Sequence, residues 1–269
     1  MSALALAYHG VSLVPFDQDR YRLFTAPAAL DRQIRLLQRW GYELATFGDW
    51  AERVGRLGPK GAGRVATLTF DDGFADNRSE LLPVLAARGV PATVFVVGGW
   101  LGSTHPDAPG APILTADDVV ALHQAGVEIG GHAMGHVDLR SVPDDSLAAD
   151  LSECRALLSG LIDAPVTSFA YPFGDADDRV RAAVRAAGFT AACRTSGEGS
   201  WSDPFDLPRQ AMGNGSSALG LRLKRADRYE AVIRWPGAAR LRRASRRAHN
   251  RAEGRRAAAS STSPQQPAA

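Results

Sequence analysis

With 269 residues, 45% of them hydrophobic and 22% charged, the chain can bury a full core as one large α/β domain or two small ones. Its two cysteines, Cys154 and Cys193, exclude a disulfide framework, and neither sits in a CxxC or CxxH pair, so both read as buried small residues. The net charge of +2 hides an asymmetry: from Gly237 on there are eight Arg and one acid, Glu253, against 23 Lys+Arg and 28 Asp+Glu before it.

Short apolar runs alternate with helical periods from Ala3 to about Gln210, which is the signature of repeated β/α units. In chain order the pattern predicts a strand over Leu4–Tyr8, helices over Ala28–Trp40 and Phe47–Val54, and a strand over Val65–Phe70. It continues with a helix over Arg78–Arg88, a strand over Ala92–Val97, a helix over Ala116–Ala125 and a strand over Val127–Ile129. Next come a helix over Asp145–Ile162, a strand over Thr167–Ala170, a helix over Asp178–Ala187, a strand over Thr190–Ala192 and a weak strand over Asp206–Arg209. Leu30, Ile34, Leu37 and Trp40 form an apolar stripe on the first helix. Gly89, Gly126 and Gly188 follow helical runs where a left-handed residue closes the helix, and Thr115 with Asp118 reads as a capping box. Seven strands with intervening helices suit a barrel better than an open sheet.

The N-terminus lacks a basic region ahead of its apolar run, and no stretch approaches the roughly 20 apolar residues needed to cross a bilayer. The chain as given is therefore expected in the cytoplasm. Residues 1–236 are expected to form the domain, with one terminal helix in the segment from Ser216 to Pro236. Residues 237–269 are Arg/Ala-rich and then Ser/Thr/Pro/Gln-rich, a composition expected to stay disordered. Weak contact with an anionic surface fits this tail, and no specific nucleic-acid partner is expected. Oligomeric state is not fixed by the sequence.

Three segments carry chemistry. Leu68-Thr69-Phe70-Asp71-Asp72-Gly73 is an apolar strand ending in two carboxylates and a Gly. Residues just past a strand's C-terminal end line the ligand face of a β/α fold, and adjacent ones point differently. One carboxylate is then available to a metal while its neighbour faces substrate. Gly130-Gly131-His132-Ala133-Met134-Gly135-His136 places two histidines four apart, expected on one side of a helical turn. Together with the Asp pair they supply a His₂Asp set, whose three ligands leave a fourth position open, as catalytic zinc requires. Ser168-Phe169-Ala170-Tyr171-Pro172-Phe173-Gly174 is a further strand end, where Tyr171 and Phe173 are candidates to wall a sugar site and the Tyr171 backbone N–H is a candidate oxyanion donor.

In this order and combination, the segments resemble the NodB-homology polysaccharide deacetylases, carbohydrate esterase family four. The likeness runs from about residue 3 to 210 and includes Asp76-Asn77, Leu82-Pro83 and Val90-Pro91-Ala92-Thr93-Val94-Phe95-Val96. It implies a distorted (β/α)7 barrel, with Asp71 as general base and Asp72, His132 and His136 as ligands of a divalent metal, zinc being favoured. The implied reaction removes N-acetyl groups from an amino sugar in an N-acetylated polymer or oligomer. The opening Leu4-Ala5-Leu6-Ala7-Tyr8-His9-Gly10-Val11 is similar to that of the circularly permuted bacterial poly-N-acetylglucosamine deacetylases, which makes His9 the candidate general acid. The sequence departs from the family in two places. Ala133 replaces the usual Ser/Thr after the first metal His, and the Arg that orients the base is missing from the Tyr171 segment, leaving Arg209 to pair with Asp71. His105 and His123 are assigned no role, and Trp100 is either a sugar platform or a packing residue at the rim. Two alternatives stay open: an amidohydrolase acting on a small non-sugar amide, and an inactive carbohydrate-binding barrel.

Overall fold

The computed structural model describes residues 3–15, 19–108, 110–195, 199–213 and 220–222. Almost all of these fall in one compact unit, Met1–Leu221; of the second unit, Arg222–Ala269, only Arg222 is described. The basic tail, the boundary at residue 237 and most of the expected terminal helix lie outside the described residues.

The chain runs β1 (Leu4–Tyr8), α1 (Pro27–Arg39), β2 (Glu43–Ala45), α2 (Phe47–Gly61), β3 (Val65–Phe70), α3 (Leu82–Arg88), β4 (Thr93–Val96), α4 (Ala116–Gln124), β5 (Glu128–Gly131), α5 (Asp144–Ile162), β6 (Ser168–Ala170), α6 (Asp178–Ala186), β7 (Ala191–Cys193) and β8 (Gln210–Ala211). Every pairing between these strands is parallel, in the order β7-β6-β5-β4-β3-β1-β8. The first strand thus lies between β3 and the last. A parallel bridge from Cys193 to Leu207 joins β7 to the segment entering β8, so the sheet curls until its two ends meet. This curled parallel sheet with its helices is the barrel that the strand count favoured and the distorted (β/α)7 type that the family resemblance implied.

Alternation along the strands sorts side chains into two cores. Leu4, Leu6 and Tyr8 of β1, with Val94 and Val96 of β4, face the helices and pack against Leu30, Ile34, Leu37, Leu151 and Leu158. Ala5 of β1, Phe95 of β4, Ala170 of β6 and Cys193 of β7 belong instead to an inner cluster with Phe47, Trp50 and Leu207. Small residues dominate this inner face because a narrow barrel leaves little room. Gly130 shows how little: a Cβ there would stand 2.4 Å from the Phe95 ring, and such overpacking typically costs about 1–3 kcal/mol. Both cysteines are buried, free thiols.

Several local expectations meet their structural counterparts. Thr115 and Asp118 form a reciprocal capping box on α4, and Gly89, Gly126 and Gly188 take positive φ after their helices. The helix expected over Arg78–Arg88 begins instead as a π-helical turn, Asn77–Leu81, which runs into α3. Helix α2 outruns its expected end at Val54 because Gly58 (φ 69°) kinks it and Pro59 restarts the helical turn. Strand β2 was not anticipated: three residues with Glu43 exposed give no apolar run, and pairing with the first half of β3 supplies the order. The strand expected over Asp206–Arg209 is also displaced. Leu207 pairs with β7 while Gln210 and Ala211 pair with β1, so this seam changes neighbour midway. Among the described residues, no helix is long and apolar enough to cross a membrane.

Candidate metal centre and catalytic pair

Asp71 and Asp72 emerge from the C-terminal end of β3, with the Asp71 N–H still donating to Tyr8 O at 2.9 Å. The backbone then turns away through two residues of positive φ, Asp72 (70°) and Gly73 (73°), which points the two side chains to different places. Asp71 is buried and met by the guanidinium of Arg209 in two parallel hydrogen bonds, Nη1 to Oδ1 at 2.7 Å and Nη2 to Oδ2 at 2.8 Å. Arg209 is itself fully buried over the Phe95 ring and donates further to Thr69 Oγ1, Arg194 O and Thr195 Oγ1, so each end of its fork is fixed. Burial alone would raise the Asp71 pKa; the Arg209 charge and hydrogen bonds outweigh it and hold the carboxyl below its ordinary range.

Asp72 turns toward the two histidines. Its Oδ1 is buried, accepts no hydrogen bond among the described residues, and faces Nε2 of His132 at 3.4 Å and Nε2 of His136 at 3.5 Å. One ligand atom from each residue lies within 4.8 Å of the others. Ligands about 2.0–2.2 Å from a tetrahedral zinc stand roughly 3.3–3.5 Å apart, so these side chains fit a shared divalent cation. His132 Nδ1 lies 2.7 Å from Ala170 O, an acceptor, so Nδ1 carries the proton and Nε2 offers its lone pair toward Asp72. Burial, reinforced by the His132 charge, lowers the His136 pKa to about 4 and leaves that imidazole neutral at physiological pH. Burial pushes His132 the same way, but Asp72 and Asp71 outweigh it and raise its pKa. For Asp72, burial would raise the value, yet the imidazoles of His105 and His132 hold it well below the carboxylate range.

The histidine pair does not sit on a helical turn. Residues 132–136 form a loop after β5 in which Ala133 takes a φ of 65°. This loop is pinned by Asp150 of α5, which accepts from Met134 N–H at 2.9 Å and Gly135 N–H at 3.1 Å. This clamp comes from the helix that follows the loop and fixes the backbone between the two histidines.

Tyr171 corrects a second expectation. Its phenol is buried in the core and donates to Phe205 O at 2.7 Å, so it walls no cleft. Its backbone N–H donates to Cys193 O at 3.1 Å and is engaged in the sheet rather than aimed at a substrate oxygen. Phe173, by contrast, is 60% exposed and its ring centroid lies 4.5 Å from that of His136, with Trp100 at 5.2 Å from the same ring. His9 follows β1, and its charge acts on both Asp71 and Asp72. Its Nδ1 is buried without a hydrogen-bond partner among the described residues.

His105, to which the sequence assigns no role, meets this cluster. It is buried, and its Nε2 lies 3.2 Å from Asp72 Oδ2. No motif marks it, because a His in a Pro/Gly-rich loop has no spacing relation to the strand it meets. Asp150 was missed for the same reason.

A parallel barrel thus gathers a cation-ready His₂Asp cluster and an Arg-clamped carboxylate at its strand ends, the face where β/α folds carry their sites. The chain belongs to the polysaccharide deacetylase family, whose sequence model matches residues 58–192. It is 26% identical over 122 residues to YxkH of Bacillus subtilis, a protein provisionally named a polysaccharide deacetylase, covering 45% of this chain and 41% of that one. It is 27% identical over 140 residues to chitin deacetylase 1 of Cryptococcus neoformans, covering 52% and 27%. The chain thus spans less than half the length of these curated relatives. Among solved structures it is similar in fold to the Streptococcus pyogenes deacetylase PplD in complex with acetate (TM-score 0.72, 20% identity, 83% of this chain and 98% of that one). A similar likeness holds to IcaB from Ammonifex degensii (TM-score 0.68, 19% identity, 85% and 97%).

Proposed function

We propose that this chain is a metal-dependent deacetylase that hydrolyses N-acetyl groups on the amino sugars of a polymer or oligomer. One observation carries the reading: Asp71, a carboxylate held ionised by Arg209, lies next in sequence to the buried and hydrogen-bond-free Oδ1 of Asp72 in a three-residue cation cluster. In this reading Asp72, His132 and His136 hold a divalent ion, and zinc is the metal that His₂Asp donors favour. When bound, that ion supplies Lewis-acid polarisation of an acyl carbonyl and stabilises the charge that develops on its oxygen.

The chain's own residues do the rest. Asp71 is the general base: Arg209 keeps it ionised and fixes its orientation, so it can take the proton of a water attacking the carbonyl carbon. His9 is the general acid and protonates the nitrogen as the C–N bond breaks, since an unprotonated amine is a poor leaving group. The reaction consumes one water and yields acetate and a free amine. Trp100 and Phe173, each packed against the His136 ring, present aromatic surface to a sugar ring. The substrate class is supported by relatives named for chitin and by a Rhizobium leguminosarum protein named chitooligosaccharide deacetylase, 33% identical over 87 residues.

The test is acetate release by zinc-reconstituted protein from chitooligosaccharides, compared with monomeric non-sugar amides. Turnover on the oligomers is expected, and Asp71→Asn should lower it by about 10²–10⁴-fold while keeping its metal. Release from small amides alone would move the assignment to an amidohydrolase. No acetate from any substrate would leave a non-catalytic barrel.

A further inference from the structure

His105 stands outside the machinery assigned above, yet it is buried and touches that machinery directly. It lies on the excursion between β4 and α4, where the chain doubles back: Thr104 and Pro112 form an antiparallel bridge, and His105 N–H donates to Ala111 O at 2.9 Å. The ring is held on both sides, stacked on Phe74 at a centroid distance of 4.8 Å and 8°, and edge-on to Trp100 at 5.0 Å and 71°. Both ring nitrogens are also committed. Asp107 N–H donates to Nδ1 at 3.0 Å, so Nδ1 presents a lone pair and the proton of the imidazole sits on Nε2. Nε2 faces Asp72 Oδ2 at 3.2 Å, and an ionised carboxylate only accepts, so the bond runs from His105 to Asp72.

We infer that His105 is a positioning residue for the cation site: by holding Asp72 through Oδ2, it leaves Oδ1 alone turned toward His132 and His136. The inference rests on reading those three residues as the metal ligands. His105 is not itself a ligand, because it occupies the opposite oxygen, and among the described residues the cation-ready cluster is Asp72, His132 and His136 without it. Its contribution is preorganisation. An untethered carboxylate turns about its terminal torsion and offers one oxygen or both, whereas a donor fixed on Oδ2 selects binding through Oδ1. Partners of this kind commonly change metal affinity by about 10–100-fold. Packing alone does not explain the residue, since Phe74 and Trp100 would accept an apolar ring, whereas the bonds from Asp107 and to Asp72 need two nitrogens in opposite roles.

Two variants separate the ring from its N–H. His105→Phe keeps a flat ring for Phe74 but has no donor, and His105→Gln keeps an amide N–H near the position of Nε2 but gives up the stack. The metal-free full chain is titrated with Zn²⁺ against a chromophoric chelator and with Co²⁺ while the visible absorption is read, and the melting point of the metal-free protein is recorded. H105F is expected to bind about 10–100-fold more weakly and to change the Co²⁺ spectrum, with its metal-free melting point lowered by the two unmet hydrogen bonds. H105Q is expected to recover most of the affinity although its metal-free melting point falls. H105F with wild-type affinity and spectrum overturns the inference. Should H105F not fold, H105Q decides: retained affinity upholds the inference, and lost affinity in a folded protein overturns it. Failure of the wild type to bind either metal would instead refute the metal-centre reading beneath it.

Discussion

Replacing Arg209 by Met isolates what the buried pair does. In the wild type, Arg209 holds the Asp71 pKa below its ordinary 3.8, so the pair's contribution to stability is present above that pH and is lost as acid protonates Asp71. In R209M burial loses its main opponent, with only the His132 and His9 charges left against it, and the Asp71 pKa rises. The folded state then prefers the protonated acid, and stability falls as pH rises from the ordinary carboxylate range toward the new, higher pKa. Both signs agree, so the gap between wild type and variant widens with pH. Breaking a buried ion pair by removing one partner costs about 3–5 kcal/mol, and this full value is expected near pH 8, with a smaller one near pH 5. Urea unfolding at the two pH values measures the gap, and the pH profile of kcat/KM provides a second readout, because the acidic limb should move upward when Asp71 is harder to ionise. The double variant Asp71→Asn/Arg209→Met should recover most of the lost stability, since it leaves no unpaired buried charge. An equal loss at both pH values with an unmoved acidic limb would refute the assigned role of Arg209.

Two further substitutions probe opposite ends of the barrel. Asp150→Ala removes the acceptor of the Met134 and Gly135 amides; metal affinity should fall by about tenfold or more, measured by chelator competition, while far-UV circular dichroism stays unchanged. Glu128, at the start of β5, accepts from Thr93 Oγ1, Gly48 N–H and Ser168 Oγ at 2.6, 3.0 and 2.5 Å. Glu128→Ala should cost at least about 1–3 kcal/mol in urea unfolding and leave metal stoichiometry and KM unchanged.

What the sequence revealed divides along physical lines. Strands such as Val65–Phe70 were legible because burial on both faces writes an unbroken apolar run, and helices because one buried stripe repeats every three or four residues. The Asp71-Asp72 and His132/His136 groups were legible because each lies next to such a strand, and Arg209 because a chemical need looked for a partner. Contacts whose order comes from tertiary partners were not. Strand β2 exists through β3, and the seam at Leu207–Ala211 through two different neighbours. Residues 132–136 read as a helical turn because spacing cannot see a residue at positive φ or an acceptor on the helix that follows. The Tyr171 N–H looked available because the register that pairs it with Cys193 O is not written locally. His105 meets Asp72 across 33 positions of chain, a distance no local pattern spans.

The most direct measurement is the metal content of purified, zinc-equilibrated wild type beside Asp72→Ala and His136→Ala, by elemental analysis after gel filtration. If Asp72, His132 and His136 share one cation, the wild type holds about one divalent ion per chain and both variants lose it. Equal content in all three proteins would contradict that centre and, with it, the reaction built upon it.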